Sequence, residues 1–392
     1  MLTLIQKLYR IRLLTIRGLC YLIQSILTSG VNMMVLLRTA AKLHPDRIAI
    51  TDDQAQFSYQ QLYEQTNMLA SILQDDYSLS SQQKVAIVCH SHAAAIKTIF
   101  AASRLGAHVY LLNPEMSQDQ ILALIDRFQF DLIVYDQQLA TIFENSTFAD
   151  RALPAYHASR DSVDTLSSYA NKALQKTNLK KVETGNIVVL TGGTTGQPKS
   201  VSRKPSLFDF LPPFFALLTH VHLDKYQSIY IATPICHGYG LAMLFIAVIM
   251  GLEMHVAERF NAAQACSRVA QHNIQVMTAV PLILQRMLAH DAAALSSLRC
   301  IVAGSALLRP ELAQEALERL GPTLFNLYGT SEAGFSIIAT PETLKQKPSS
   351  IGQPVPGVQA NMIDEQGQSV GEGNIGRLCI RSTWTADQDR WI

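Results

Sequence analysis

The chain has 392 residues, of which 48% are hydrophobic and 16% are charged. This length is enough for two or three packed subdomains with cores of their own. The formal net charge is +1, so no global field favours nucleic acid or an acidic partner. The six cysteines are scattered without a C-x-x-C pair. That usage fits a reducing, cytoplasmic compartment and argues against a disulfide framework or a zinc site.

The N-terminal segment is basic and amphipathic. Six cations and no acid precede Asp46, namely Lys7, Arg10, Arg12, Arg17, Arg38 and Lys42. At about 100° per residue, one polar arc holds Gln6, Lys7, Arg10, Arg17, Gln24, Ser25 and Thr28, whereas Leu4, Leu8, Ile11, Leu19, Leu22 and Ile26 fall outside it. We therefore predict an amphipathic basic helix over residues 1–30, with peripheral contact to an anionic membrane through residues 1–28. A helix packed on its own protein is the alternative.

Neither a membrane span nor a cleaved leader fits this segment. The uncharged stretch 18–37 is long enough to span, but polar residues such as Gln24, Ser25 and Asn32 interrupt it. No small-residue cleavage site follows a compact apolar core.

Strand and helix patterns alternate from residue 31 to residue 142. Strands are predicted at 48–51, 85–89, 109–112 and 132–135. Ser58 with Gln61 predicts a capping box, a second helix over 93–105 ends at Gly106, and Ser117 begins a third. Such alternation predicts a parallel sheet covered by helices on both faces. The segment 143–184 is polar and poorly periodic, and is predicted to cross the surface.

The run from Thr191 to Lys199 is the most informative feature of the chain. It reads Thr191, Gly192, Gly193, Thr194, Thr195, Gly196, Gln197, Pro198 and Lys199, and follows an apolar strand pattern at 186–190. Glycines let backbone N–H groups approach a polyphosphate, while hydroxyls add donors and the lysine adds a positive charge. The spacing fits neither the P-loop nor the dinucleotide fingerprint. A plain Gly/Thr turn is the alternative.

A second series of strands and helices follows. Strands are predicted at 229–232, 253–256, 276–280, 300–303 and 323–326, and the twelve apolar residues 241–252 predict a buried helix. After Gly352 the pattern changes to short strands with Gly/Pro turns, which predicts a small β-rich subdomain.

These motifs together resemble the adenylate-forming enzymes, a superfamily of acyl-CoA synthetases, luciferases and nonribosomal-peptide adenylation domains. Besides the 191–199 run, the resemblance rests on 234–240 (PICHGYG), 302–306 (VAGSA), 326–332 (NLYGTSE), 352–357 (GQPVPG) and 376–381 (GRLCIR). It covers roughly residues 35 to 392. It implies an α/β fold, the family's large N-terminal domain over 31–392, with two parallel-sheet subdomains and a smaller β-rich one.

The resemblance also implies a nucleotide site. Glu332 matches the family's magnesium ligand, and a carboxylate near phosphates suits Mg²⁺. Lys199 matches a contact to the β- and γ-phosphates or a residue that stabilises the loop. Two further groups match nucleotide-binding positions around the adenine: Gly304, Ser305 and Ala306, and Asn326, Leu327, Tyr328, Gly329, Thr330 and Ser331. A lone glutamate or lysine in such turns would ordinarily be solvated.

His237 distinguishes the branches of the family. Within Pro-x-x-His-x-x-Gly it resembles the acyl- and aryl-activating members, in which this histidine borders the substrate carboxylate. No aspartate beside it resembles the one that pairs with an amino-acid substrate. A core histidine is the alternative. We therefore take His237, Lys199 and Glu332 as the candidate catalytic residues.

The resemblance implies a carboxylic acid substrate, with ATP, Mg²⁺ and coenzyme A as cofactor and co-substrates. The basic start favours a fatty acid. The family continues to a ribose-binding aspartate and a C-terminal lid domain with a catalytic lysine, whereas this chain stops at Trp391-Ile392. The lid domain is thus expected to be absent and the reaction incomplete. An acyl-AMP ligase that loads a carrier protein, and an inactive nucleotide- or acyl-binding remnant, stay as alternatives.

Overall fold

The computed structural model describes residues 2–144, 146–168, 179–191, 199–203, 211–330, 334–371 and 373–382. Within them the helices are α1 (Leu2–Arg10), α2 (Ile16–Ser29), α3 (Met34–Leu43), α4 (Tyr59–Asp75), α5 (Ala93–Arg104), α6 (Gln118–Phe128), α7 (Ala140–Phe143), α8 (Val163–Ser168), α9 (Leu211–Ala216), α10 (Gly238–Met250), α11 (Ala262–Gln271), α12 (Pro281–Asp291), α13 (Pro310–Leu320) and α14 (Pro341–Gln346).

The strands in the same ranges are β1 (Ile48–Thr51), β2 (Gln56–Ser58), β3 (Lys84–Val88), β4 (His108–Leu111), β5 (Leu132–Tyr135), β6 (Ala152–Pro154), β7 (Ile187–Thr191), β8 (Lys199–Arg203), β9 (Ser228–Ile231), β10 (Glu253–His255), β11 (Val276–Ala279), β12 (Cys300–Gly304), β13 (Leu324–Thr330), β14 (Gly334–Ala339), β15 (Gln353–Pro354), β16 (Val358–Ile363) and β17 (Arg377–Ser382). Short 3₁₀ turns and one π turn, Leu217–Val221, connect some of these elements.

The chain forms two compact units. One unit comprises 1–4, 208–226 and 261–392, and the other comprises 5–207 and 227–260. We call them the adenine unit and the hairpin unit, after the predicted nucleotide residues and the β7–β8 hairpin that they hold. Both are α/β, as the sequence predicts.

The hairpin unit contains a sheet in the order β6-β5-β3-β4-β7-β8. Its strands are parallel except β8, which returns antiparallel to β7. A second set of strands runs β9-β10-β1-β2, with β2 antiparallel. The apolar residues of β3, β5 and β7 pack on α6 in one core cluster. The capping box of Ser58 with Gln61 at α4 is confirmed, and Ser117 begins α6 with a second one.

The adenine unit contains adjacent strands in the order β15-β14-β13-β12-β11. Here β11, β12 and β13 are parallel, whereas β14 and β15 are antiparallel to their neighbours. The β-rich region expected after Gly352 is the antiparallel pair β16–β17, in register from Val358 opposite Ser382 to Ile363 opposite Arg377. No helix among the described residues is long and apolar enough to span a bilayer.

Two predictions from the sequence need correction. The single helix predicted for residues 1–30 is two helices, because Arg12 adopts a positive φ of 66° and Thr15 caps α2 by accepting the Gly18 N–H. The predicted surface crossing at 143–184 is wrong for 152–168. There β6 extends the sheet, and α8 packs on α4 with Val163 and Leu166 buried.

A buried lysine explains why α8 belongs to the core. Every residue of α5 is buried, including Lys97. Its amine donates to Ser167 Oγ at 3.1 Å and pairs with Asp164 Oδ1 at 3.4 Å, and it lies over the Phe57 ring. Burial lowers the pKa of Lys97 despite the nearby carboxylates. A buried ammonium needs such partners, and α8 supplies them.

Candidate active site

The predicted phosphate loop connects the two strands of a hairpin. Thr191 ends β7 and faces Lys199, the first residue of β8, in the antiparallel register. Cα atoms of residues paired in this way lie about 4.5 to 5.5 Å apart, so both ends of the loop are held together. The residues Gly192, Gly193, Thr194, Thr195 and Gly196 lie outside the described residues. β8 itself was not predicted, because its sequence KSVSR has no apolar pattern.

The two groups of predicted adenine-binding residues lie side by side in the adenine unit. Gly304, at the end of β12, faces Leu327 of β13, and Ala303 faces Asn326. Because both strands are parallel, their carboxyl ends share one edge of the sheet, where open α/β sheets bind ligands. Asn326 is buried and Tyr328 half-buried, whereas Ser305 and Ala306 are exposed. Thr330 ends β13, while Ser331 and Glu332 lie outside the described residues.

Two backbone features shape this edge. Ser305 has a positive φ of 64°, a left-handed conformation that is uncommon for a residue with a side chain. At Gly329 an added Cβ would lie 2.2 Å from the Gly334 carbonyl oxygen and 2.5 Å from Phe335 Cα. Gly329 therefore lets β14 approach β13 at a place where any side chain would separate them.

His237 is the N-cap residue of α10 in the hairpin unit. Its carbonyl oxygen accepts the Leu241 N–H at 3.0 Å, but its side chain makes no capping hydrogen bond. The residue is exposed, yet loss of water around the ring lowers the pKa of His237 below its ordinary value. A neutral imidazole beside a helix N-terminus, where backbone N–H groups favour anions, is compatible with a neighbouring carboxylate.

Ser91 forms a hydrogen bond with the loop that precedes His237. The Ser91 hydroxyl accepts the Ile235 N–H at 3.1 Å, and both residues are buried. At Gly240 an added Cβ would lie 2.3 Å from the Pro234 carbonyl oxygen, so the glycine permits a tight turn into α10. The Pro-x-x-His-x-x-Gly motif is thus fixed at both ends.

Sequence reasoning missed a network that surrounds Ser91. Asp136 Oδ2 bonds His90 Nδ1 at 2.5 Å, and Asp136 Oδ1 bonds His92 Nε2 at 2.8 Å. His90 Nε2 also lies 2.8 Å from Glu115 Oε1. His90 is the second residue after β3 and Asp136 directly follows β5, and the two strands pair, so polar residues at neighbouring strand ends were the available signal.

The electrostatics of the network are asymmetric. His92 Nδ1 accepts the Ala95 N–H at 3.2 Å, so the ring carries a proton on Nε2, which donates to Asp136 Oδ1. Burial alone would raise the pKa of Asp136 and lower the pKa of His90, but the hydrogen bonds of both groups outweigh burial. The bonds from His90 and His92 hold the pKa of Asp136 well below its usual range, and those to Asp136 and Glu115 raise the pKa of His90. The raised pKa favours the protonated His90 ring, which bonds the carboxylates of Asp136 and Glu115.

Cys89, His92 and Asp136 also place candidate metal-ligating atoms within 4.8 Å of one another. Their hydrogen bonds disfavour a metal ion, because the Nε2 proton of His92 occupies the position that would bind it. Burial, followed by the field of Asp136, raises the pKa of the Cys89 thiol, so no thiolate is available at neutral pH. Asp136 instead holds His90 and His92 on either side of Ser91, whose hydroxyl accepts the Ile235 N–H before His237.

Comparison with known proteins identifies the family. The model of the AMP-binding enzyme family matches residues 37–387. The chain belongs to the AMP-binding enzymes.

Relatives of this AMP-binding enzyme include acid–CoA ligases. A 2-succinylbenzoate–CoA ligase of Bacillus velezensis is 25% identical over 316 residues, which are 80% of this chain and 62% of that protein. A medium/long-chain-fatty-acid–CoA ligase of Mycobacterium tuberculosis is 30% identical over 200 residues, or 48% of this chain and 34% of the relative. The chain therefore spans less than two thirds of the length of these relatives.

Solved structures confirm the fold. The structure of a long-chain-fatty-acid CoA ligase, described as putative, from Rhodopseudomonas palustris superposes with a TM-score of 0.77 at 21% identity, covering 90% of this chain and 89% of that one. An o-succinylbenzoate CoA synthetase from Bacillus subtilis, in complex with its acyl-adenylate intermediate, gives 0.75 at 22% identity, covering 89% and 69%. At these identities the likeness concerns the fold alone.

Proposed function

We propose that this AMP-binding enzyme activates a carboxylic acid with ATP. The carboxylate oxygen attacks the α-phosphorus of ATP, the bond to the β-phosphate oxygen breaks, and acyl-adenylate and pyrophosphate form. The observation that carries the proposal is the placement of Gly304 beside Leu327 at one sheet edge, in a chain of this family. Small residues and exposed backbone at that edge suit a flat adenine.

The remaining roles follow the motifs. The loop between Thr191 and Lys199 would cradle the phosphates, and Lys199 would contact the β- and γ-phosphates. Glu332 would hold Mg²⁺, which neutralises phosphate charge when it is bound. In the hairpin unit, His237 and the first turn of α10 would border the substrate carboxylate. Positioning and charge neutralisation are the main contributions that such residues make to phosphoryl chemistry.

For the second step we propose transfer of the acyl group to coenzyme A. The CoA thiol would attack the acyl carbon and release AMP, as the names of the relatives indicate for those ligases. A fatty acid is the proposed substrate, and the N-terminal helices would contact a membrane that supplies it. Transfer to a carrier protein is the second candidate, because a dimodular nonribosomal peptide synthase of Bacillus subtilis is 25% identical over 362 residues.

Acid-dependent exchange of labelled pyrophosphate into ATP tests the first step directly. The 392-residue chain would be assayed with Mg²⁺, ATP and a panel of fatty acids, 2-succinylbenzoate and amino acids. We expect exchange that depends on a fatty acid and falls about 100-fold or more in Glu332→Gln, with Glu342→Gln on α14 as the control. Nucleotide binding in calorimetry without any exchange would instead support a binding remnant.

Adding CoA or a carrier protein separates the two acceptors. Formation of acyl-CoA supports the ligase, whereas release of adenylate only to a carrier protein supports the second candidate. Exchange with amino acids alone would contradict the role given to His237.

A further inference from the structure

Helix α2 exposes four large aliphatic side chains. Ile16, Leu19, Ile23 and Leu27 are 83%, 41%, 56% and 60% exposed. Their spacing puts them on one arc of the helix, about 80° wide. Soluble helices ordinarily turn such a stripe towards their own core, and contiguous exposed apolar patches mark interaction sites. We call these four residues the α2 stripe.

The opposite face of α2 is already packed. Gly18, Ser25 and Ser29 are buried, and Thr39 of α3 donates a hydrogen bond to Ser25 Oγ at 3.2 Å. At Gly18 an added Cβ would lie 2.0 Å from the Arg12 carbonyl oxygen. Gly18 therefore lets the turn that precedes α2 approach the helix, and the small residues Ser25 and Ser29 pack inside while the stripe stays exposed.

A basic concavity adjoins the α2 stripe. Arg10, Arg12, Arg17 and Lys42 line it together with Tyr9 and Ile16, and no carboxylate is among its lining residues. Its volume is about 790 Å³. Ile16 belongs to both the stripe and the concavity, so a hydrophobic surface and a cluster of four cations are continuous.

We infer that this surface docks on a bilayer that contains anionic phospholipid, with headgroup phosphates in the basic concavity and the α2 stripe among the acyl chains. Guanidinium groups bind phosphate in bidentate geometry, and aliphatic side chains gain by leaving water. With 14 residues α2 is about 21 Å long, shorter than the roughly 30 Å hydrocarbon core, so it lies in the interface.

Charge argues against a second copy of the chain as the occupant. A two-fold symmetric contact through this surface would bring the four cations of one copy against those of the other. An anionic lipid surface instead attracts each of them. The inference rests on the membrane contact in the proposed function, and not on the ligase reaction.

Co-sedimentation with vesicles tests the inference on the whole chain. Vesicles of phosphatidylcholine alone are compared with vesicles that also contain phosphatidylglycerol, at low and high salt. We expect binding to the anionic vesicles that weakens as salt rises. Equal binding to both vesicles, or binding that ignores salt, would overturn the role of the basic concavity.

Matched variants separate the two parts of the surface. Ile23→Ser with Leu27→Ser should weaken binding about 10-fold or more, whereas Gln24→Ser and Thr28→Ser, on the same helix off the stripe, should not. Arg17→Gln with Lys42→Gln should weaken it about 5-fold per cation, and Lys345→Gln with Lys347→Gln serves as a control of equal net charge. Circular dichroism melting checks that each variant folds.

Three further outcomes refute the proposal. Stripe variants that bind as well as the original chain would show that α2 does not insert. Dimerisation in analytical ultracentrifugation that the stripe variants abolish, without vesicle binding, would assign the surface to a second copy. Calorimetric binding of inorganic phosphate without vesicle binding would assign the concavity to a soluble anion. ATP binding by the same preparations reports separately on the nucleotide site.

Discussion

The hydroxyl of Ser91 accepts the backbone N–H of Ile235, two residues before His237, at 3.1 Å. Ser91 itself lies between His90 and His92, whose rings both bond Asp136. One buried carboxylate thus holds the two histidines that flank Ser91. These residues follow β3 and β5. Through Ser91 their hydrogen bonds extend to the Pro-x-x-His-x-x-Gly motif, whose histidine is predicted to border the acid substrate.

Ser91→Ala should weaken binding of the acid substrate more than binding of the nucleotide. Losing one hydrogen bond of about 1 kcal/mol loosens the His237 loop, so we expect KM for the acid to rise about 5-fold while KM for ATP stays unchanged. Pyrophosphate exchange measures both constants. Ser91→Thr should restore the acid KM, and Ser80→Ala, on the surface, is the control. An equal rise in both KM values would indicate a general structural defect.

Asp136→Asn should destabilise the hairpin unit by about 3 kcal/mol, because it removes the anionic partner of a buried network. Urea unfolding followed by fluorescence measures the loss, with exposed Asp126→Asn as the control. A loss within the error of that control would show that the imidazoles find other partners.

The pH dependence of the same variant has a defined sign. The pKa of His90 is raised in the folded state, so its contribution is fully present below about pH 6.5 and is lost as pH rises through the folded pKa. The pKa of Asp136 is lowered, so its contribution is present above about pH 4 and is lost in acid. Between about pH 5 and pH 8, the unfolding free energy of the original chain should fall as His90 loses its proton. In Asp136→Asn this fall should be smaller.

Gly329→Ala should separate β13 from β14. The new methyl group would lie 2.2 Å from the Gly334 carbonyl oxygen, so we expect a loss of about 2 kcal/mol and weaker ATP binding. Gly371→Ala is the matched control, since its added Cβ meets no atom closer than 3.7 Å. Thermal melting and calorimetry would show the difference. Unchanged ATP affinity in a folded Gly329→Ala variant would remove this edge from the proposed adenine site.

Local signals in the sequence predicted much of the fold. The capping box at Ser58, the helix that begins after Ser117 and the buried strands 85–88 and 132–135 all depend on residues close together in the chain. The juxtaposition of Gly304 with Leu327 could also be anticipated, because successive parallel strands end at one edge. The roles of these residues in binding stay predictions.

Long-range chemistry could not be predicted in the same way. His90 and Asp136 lie 46 residues apart, and nothing in either local pattern indicates that they pair. The side of α2 that packs inside was left open for a related reason. Apolar residues at helical spacing mark a face but do not say what covers it, and here Gly18, Ser25 and Ser29 pack inside instead.

The burial of α5 has a consequence for the dynamics of the hairpin unit. None of its twelve residues is exposed, and Lys97 is bonded to α8 while Arg104 bonds the carbonyl oxygens of Leu179 and Lys180. Amide protons in such a helix exchange with solvent deuterium only when the surrounding structure opens as a whole. The rate of deuterium uptake by α5 would therefore measure global opening of the unit. The uptake of α2, with and without vesicles, can be compared with that rate.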